Sequence, residues 1–65
     1  MNLYEARIIF EDKTIDVFEF TNYSVDGDMF KFVYETKGII KIFFKKDIMI
    51  IKIHYVGETK EEQND

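Results

Sequence analysis

The 65-residue chain contains no cysteine, proline or tryptophan, and His54 is its single histidine. Without cysteine it can form neither a disulfide framework nor a thiolate metal site. One histidine leaves only a carboxylate-rich metal site or a site shared between subunits, and we expect no cofactor. A domain of this size buries only about 60% of its unfolded surface, so small domains often depend on disulfides, metals or oligomerisation. Oligomerisation is the support that this composition leaves open.

Alanine and leucine are scarce, with one of each against ten isoleucines. Both residues favour helices, so their scarcity argues against a helical fold. The seven phenylalanines and four tyrosines favour strands instead. Hydrophobic residues make up 46% of the chain and charged residues 34%, which is typical of a folded globular domain. The excess of isoleucine, lysine and phenylalanine suggests an AT-rich genome, such as that of a Gram-positive bacterium or its phage.

A membrane-spanning run and a targeting signal are also lacking. There is no stretch of about 18 consecutive apolar residues, and the N-terminus has no basic-then-apolar signal region. We therefore expect a cytoplasmic protein without membrane association. The net charge of −4 disfavours broad attraction to nucleic acid or anionic lipid. Much of this charge lies in residues 57–65, which contain four acids and one lysine.

Five segments with strand character alternate with short polar breaks, and no stretch has a sustained helical period. These segments are residues 3–10, 15–22, 29–35, 39–45 and 48–56. They predict an all-β fold, a five-stranded antiparallel meander that forms either a curved sheet or a small barrel. Residues 1–56 constitute the single β-domain, and residues 57–65 are a short acidic tail that we expect to be flexible.

Alternation of apolar residues predicts the inner face of this sheet. Its members are Tyr4, Ala6, Ile8, Phe10, Phe18, Phe20, Phe30, Phe32, Tyr34, Ile40, Ile42, Phe44, Met49, Ile51, Ile53 and Tyr55. The second segment changes phase at Val17 and Phe18, which predicts a β-bulge or a bend there. Residues 23–28 are expected to be a loop because Asp26-Gly27 is a turn signal.

The register of the central hairpin follows from the segment Thr36-Lys37-Gly38. It suits a three-residue loop with Gly38 in the left-handed conformation. The predicted pairs are then Glu35–Ile39, Tyr34–Ile40, Phe32–Ile42 and Phe30–Phe44. A two-residue loop at residues 46–47 would extend the meander, with the predicted pairs Phe44–Met49, Ile42–Ile51 and Ile40–Ile53. Tight loops favour glycine, which Lys46-Asp47 lacks, so a longer loop is the alternative.

The outer face of the predicted sheet carries more apolar residues than a solvated surface needs. On the predicted register, Ile39, Phe43, Ile48 and Ile50 form a patch across the last two strands. Large exposed apolar patches mark interaction sites, and this one could be covered by a second copy, by the first two strands or by another protein. We favour a second copy. The sequence thus predicts a non-enzymatic protein–protein interaction module, a small regulatory or accessory protein that forms a homodimer or binds a protein partner.

Two other functions remain open. Outward lysines on neighbouring strands, interleaved with an aromatic ring, are typical of β-domains that bind single-stranded nucleic acid. The residues concerned are Lys31, Lys41, Lys45, Lys52 and Phe43. The acidic net charge counts against this alternative. The acidic tail suggests a third function, that of a small phage-type inhibitor of a host protein, although most acidic tails only solubilise.

No combination of residues indicates catalysis or metal binding. His54 falls on the predicted outer face, and nothing in the sequence brings it to Ser24, the single serine. Asp26-Gly27-Asp28 supplies two carboxylates, far fewer oxygens than a calcium loop needs, and is better explained as a turn. We therefore expect a protein that is not an enzyme, with His54 at the surface or in an interface.

Overall fold

The computed structural model describes residues 1–59, which form six β-strands and two short 3₁₀ turns. The strands are β1 (Asn2–Phe10), β2 (Ile15–Phe20), β3 (Asn22–Asp26), β4 (Met29–Tyr34), β5 (Ile39–Phe44) and β6 (Ile48–Glu58). The 3₁₀ turns are Glu35–Lys37 and Lys45–Asp47. All strand pairs are antiparallel. The predicted all-β class and antiparallel pairing are confirmed.

The strands form two three-stranded sheets, with orders β2-β1-β6 and β3-β4-β5. In the first sheet β1 is central, and its alternating residues Tyr4, Ala6 and Ile8 face the second sheet. Ala6 and Ile8 are fully buried. In the second sheet β4 is central, and Phe32, at 2% exposure, faces back toward the first. Each central strand alternates because one side of it packs and the other is solvated.

Thr21 marks the corner where the chain passes from β2 to β3 and so from one sheet to the other. Its backbone N–H donates to the carbonyl of Val33 at 2.8 Å, and its hydroxyl donates to the same carbonyl at 3.1 Å. The hydroxyl oxygen also accepts from the N–H of Glu35 at 3.0 Å. One side chain thus joins the corner to the end of β4.

The core lies between the sheets and consists of Ala6, Ile8, Phe20 and Phe32. Partly buried residues pack around it, namely Tyr4, Phe10, Phe18, Phe30, Phe43, Ile48 and Ile51. Phe32 makes edge-to-face contacts with Phe18 and Phe20, with ring centroids 5.1 and 4.9 Å apart. The predicted inner face of the first three segments is confirmed. In the last segment Ile51, Ile53 and Tyr55 lie on the predicted inner face, opposite Ile8, Ala6 and Tyr4 of β1. Only Ile51 packs against the core, and Met49, Ile53 and Tyr55 are 42–56% exposed.

The predicted meander and barrel are wrong, because β6 pairs with β1 rather than with β5. The 3₁₀ turn at Lys45–Asp47 carries the chain from one sheet to the other. Its ends are held by hydrogen bonds from Lys45 N–H to the Asp28 carbonyl, 2.8 Å, and from Glu11 N–H to the Asp47 carbonyl, 2.9 Å. Pairing with the central strand β1 lets Ile48 and Ile51 reach the core. The predicted pairs Phe44–Met49, Ile42–Ile51 and Ile40–Ile53 do not form.

The predicted register of the central hairpin is wrong by one residue. The observed pairs are Tyr34–Ile39, Phe32–Lys41 and Phe30–Phe43. The loop has four residues instead of three, because residues 35–37 form a 3₁₀ turn in which Gly38 N–H donates to the Glu35 carbonyl at 3.3 Å. Gly38 has the predicted left-handed conformation, with φ +67°. The left-handed conformation of Gly38 is confirmed, but a glycine in this conformation suits a loop of either three or four residues.

Two further local predictions are corrected. β2 pairs with β1 without a bulge at Val17 and Phe18, since these neighbours simply occupy opposite faces of the sheet. Residues 23–28 are mostly strand: β3 extends to Asp26, and Gly27-Asp28 is a two-residue loop with φ +62° at Gly27.

At the C-terminal end of the described residues, β6 continues through Glu58, and Thr59 N–H donates to the Met1 carbonyl at 2.9 Å. The remainder of the acidic tail, residues 60–65, lies outside the described residues.

Candidate protein-interaction surface

The structure does not bring the predicted apolar patch together. Phe43 and Ile48 are partly buried against the core. Ile50 lies on the outer face of the first sheet, and Ile39 lies at the end of β5 on the side that faces the first sheet. The patch depended on a β5–β6 pairing that does not form, so its four members occupy three different places.

The predicted basic stripe is also divided. Lys31 is on the outer face of the second sheet, whereas Lys52 is opposite Arg7 on the outer face of the first. Lys41 and Lys45 instead lie over aromatic rings, with their Nζ atoms 4.7 Å from the centroid of Phe18 and 5.6 Å from that of Phe30. Binding of single-stranded nucleic acid stays a prediction without a common face to support it.

Lys41 links the edge of one sheet to the other. Its Nζ is 3.1 Å from Oδ2 of Asp16, and both side chains are about one-third exposed. An ion pair with this exposure contributes about 0–1 kcal/mol. The alternation of β5 places Lys41, the one charged side chain of this strand, on the inward face, where it contacts Asp16 and Phe18.

The outward side of β5 is entirely apolar. Ile40, Ile42 and Phe44 are 57, 54 and 47% exposed. Their neighbours on β4 are Val33, Lys31 and Met29. The predicted register places Ile40, Ile42 and Phe44 in the core, and this prediction is wrong because the register is shifted by one residue. β5 is apolar on both faces, so its own alternation could not reveal the error.

The backbone of β5 also has an open side, because the strand lies at the edge of its sheet. Lys45 N–H points toward β4, where it donates to the Asp28 carbonyl. Peptide groups alternate in direction along a strand, so those of Phe43, Lys41 and Ile39 also point toward β4. The N–H and C=O groups of Ile40, Ile42 and Phe44 therefore point to the open edge. Apolar side chains and free hydrogen-bonding groups coincide on these three residues.

The two sheets of residues 1–59 have four edge strands, and the other three carry charges or polar groups on their outward faces. β2 has Glu19, β3 has Asn22 and Asp26, and β6 has Lys52 and His54. Charged and polar residues on an edge discourage pairing with another chain. β5 lacks this protection on its outward face.

His54 lies on the outer face of the first sheet, as expected for a surface residue. Its Nε2 is 3.4 Å from Oε1 of Glu5, the residue opposite it on β1. Residues 1–59 contain no group of three His, Asp or Glu side chains placed to hold a metal ion. Nor does this part of the chain have a helix with the length and apolar character to cross a membrane.

Comparison of this chain with protein families, curated proteins and solved structures gives no match to any family model, protein or structure. The geometry of β5 is therefore the feature from which a function can be inferred.

Proposed function

We propose that this protein is a protein–protein interaction module that self-associates through the edge of β5. The observation that carries the proposal is the coincidence of exposed apolar side chains and free backbone groups at Ile40, Ile42 and Phe44. An apolar edge strand is a template for pairing with another strand. The proposed role of the protein is binding, which requires no catalytic group.

The gain from covering this edge is appreciable for so small a domain. Fully burying an Ile or Phe side chain contributes about 1.5–3 kcal/mol, so a side chain that is half exposed can gain roughly 1 kcal/mol. A second copy supplies the same three residues again, and the new strand pair satisfies backbone groups of both edges. Total stabilities of single domains are only about 5–15 kcal/mol, so this contribution is not negligible.

The test compares two lysine substitutions of matched exposure. Ile42→Lys places a charge in the middle of the β5 edge, whereas Ile15→Lys places one on the edge strand β2. The two isoleucines are 54 and 55% exposed. We expect the wild type and Ile15→Lys to be dimers by light scattering and sedimentation, and Ile42→Lys to be a folded monomer by the same measurements and circular dichroism.

Other results would contradict the proposal. A wild-type chain that stays monomeric at every accessible concentration excludes self-association. A dimer that Ile15→Lys dissociates and Ile42→Lys leaves intact places the interface on β2. If the chain is a monomer that binds another protein through β5, then β5 is an interaction surface but its partner is not a second copy.

A further inference from the structure

The direction of the peptide groups in β5 restricts how two copies can pair. The groups that point to the open edge belong to Ile40, Ile42 and Phe44, which alternate along the strand. In an antiparallel pair, residues whose peptide groups point at the partner lie directly opposite one another. In a symmetric pair, residues of this set in one copy must therefore lie opposite residues of the same set in the other copy. The two-fold axis passes next to one residue that faces the same residue of the second copy.

A symmetric pair can be centred on any residue from Ile40 to Phe44, and repulsion between lysines disfavours two of these registers. A pair centred on Lys41 places two lysines directly opposite each other. A pair centred on Phe43 places Lys41 opposite Lys45. Like charges at directly opposite positions destabilise a sheet. Centring on Ile40 or Phe44 avoids this, but it aligns only about half of β5 with its counterpart.

We infer that two copies pair antiparallel along β5, with Ile42 opposite Ile42 of the second copy. This inference rests on the proposed function and specifies its partner and its register. Ile40 then faces Phe44 on both sides of the axis, so every pair on the outward face is apolar. Lys41 faces Phe43 and keeps its contact with Asp16, which lies within its own chain.

The resulting interface is self-complementary, as a two-fold interface requires. Two three-stranded sheets become one continuous six-stranded sheet, with the two β5 strands at its centre. On β4, Met29 and Val33 flank Phe44 and Ile40 on each side of the new pair, with Lys31 between them next to Ile42. Both β5 edges are then paired with each other, so association through β5 stops at two copies.

Charge exchange at Ile42 tests the register. Ile42→Lys alone and Ile42→Glu alone should each lose the dimer, because each places like charges opposite one another. An equimolar mixture of the two should form a heterodimer, detectable by native mass spectrometry, since lysine then faces glutamate. This rescue requires residue 42 of one copy to lie close to residue 42 of the other, as it does in this register.

Cysteine cross-linking provides a second measurement, and the cysteine-free chain makes each introduced thiol unique. Opposite residues in a hydrogen-bonded pair have Cα atoms about 5.5 Å apart, within disulfide reach. Ile42→Cys alone should cross-link under mild oxidation, and a mixture of Ile40→Cys with Phe44→Cys should give the mixed dimer. Ile40→Cys alone should not, because its counterpart is displaced by four residues, or about 13 Å.

The outcomes separate the register from the self-association itself. A dimer in which Ile40→Cys cross-links to Ile42→Cys, or in which the charge mixture remains monomeric, overturns the register and leaves the proposed function standing. A wild-type monomer overturns both. Ile15→Cys, on β2, is the control that should not cross-link in any of these mixtures.

Discussion

Phe20 and Phe32 meet edge to face with their ring centroids 4.9 Å apart, and each is only 2% exposed. Phe20 comes from β2 and Phe32 from β4, so this contact joins the two sheets. It is one of eleven close aromatic pairs among the described residues, and Phe32 takes part in five of them. The fold therefore depends on Phe32 more than on any single surface residue.

We expect Phe32→Ala to lower the free energy of unfolding by about 3–5 kcal/mol, because it leaves a cavity between the sheets. Phe32→Leu should cost less, since leucine refills part of that volume. Urea unfolding followed by circular dichroism measures both. Ile15→Ala, at a position 55% exposed, is the control and should cost less than about 1 kcal/mol. Equal losses for Phe32→Ala and Ile15→Ala would show that Phe32 does not hold the sheets together.

The hydroxyl of Thr21 gives a second prediction. Thr21→Val keeps the shape of the side chain but leaves the N–H of Glu35 without its acceptor. We expect a loss of about 0.5–1.5 kcal/mol in unfolding free energy and faster hydrogen exchange at the Glu35 amide. Thr21→Ser keeps the hydroxyl and should behave nearly as wild type. Unchanged exchange at Glu35 in Thr21→Val would contradict the assigned hydrogen bond.

Gly38 closes the loop between β4 and β5 with φ +67°, and a Cβ atom added there would meet nothing within 4 Å. The cost of Gly38→Ala therefore comes from backbone conformation alone, about 1–2 kcal/mol. Gly38→Asn should cost less, because asparagine tolerates the left-handed region better. Urea midpoints compare the two variants. Equal midpoints for both would show that left-handed strain does not set the cost.

Acid titration provides a prediction at the turn between β1 and β2. The Thr14 hydroxyl donates to Oδ1 of Asp12 at 2.6 Å and the Thr14 N–H donates to the same atom at 3.0 Å. These hydrogen bonds lower the pKa of Asp12 below its ordinary value, the hydroxyl having the larger effect. A pKa that is lower in the folded chain contributes stability above the unfolded pKa of about 3.9, and this contribution is lost as pH falls through the folded pKa.

Thr14→Val removes the hydroxyl and should raise the pKa of Asp12 toward its ordinary value, although the backbone hydrogen bond remains. NMR titration of the Asp12 carboxyl carbon measures this shift directly. Thr36→Val, in the loop between β4 and β5, is the control and should leave the Asp12 titration unchanged. If the Asp12 titration is the same in wild type and Thr14→Val, the Thr14 hydroxyl is not the cause.

Local alternation predicted the strands that occupy the middle of each sheet. β1 and β4 contact neighbours on both edges and the core on one face, so their apolar residues recur at every second position. The left-handed conformation of Gly38 is also predicted locally, from the residues of its loop. The sequence-based predictions fail where apolar residues do not alternate with polar ones. In β5 both faces are apolar, so the candidate site at Ile40, Ile42 and Phe44 was placed in the core.

Amino-acid order by itself determined the all-β class, the antiparallel pairing of strands, the inward faces of the first three predicted segments and the lack of disulfide support. These features depend on residue type and on contacts between neighbours in sequence. Only the tertiary structure decided that β6 joins β1, that the chain bends at Thr21 into two sheets, and that β5 remains an open apolar edge. Those outcomes depend on which long-range packing buries the most apolar surface, and the competing arrangements of this isoleucine-rich chain share the same local pattern. The oligomerisation that the cysteine-free composition leaves open thus acquires a proposed location, the edge of β5.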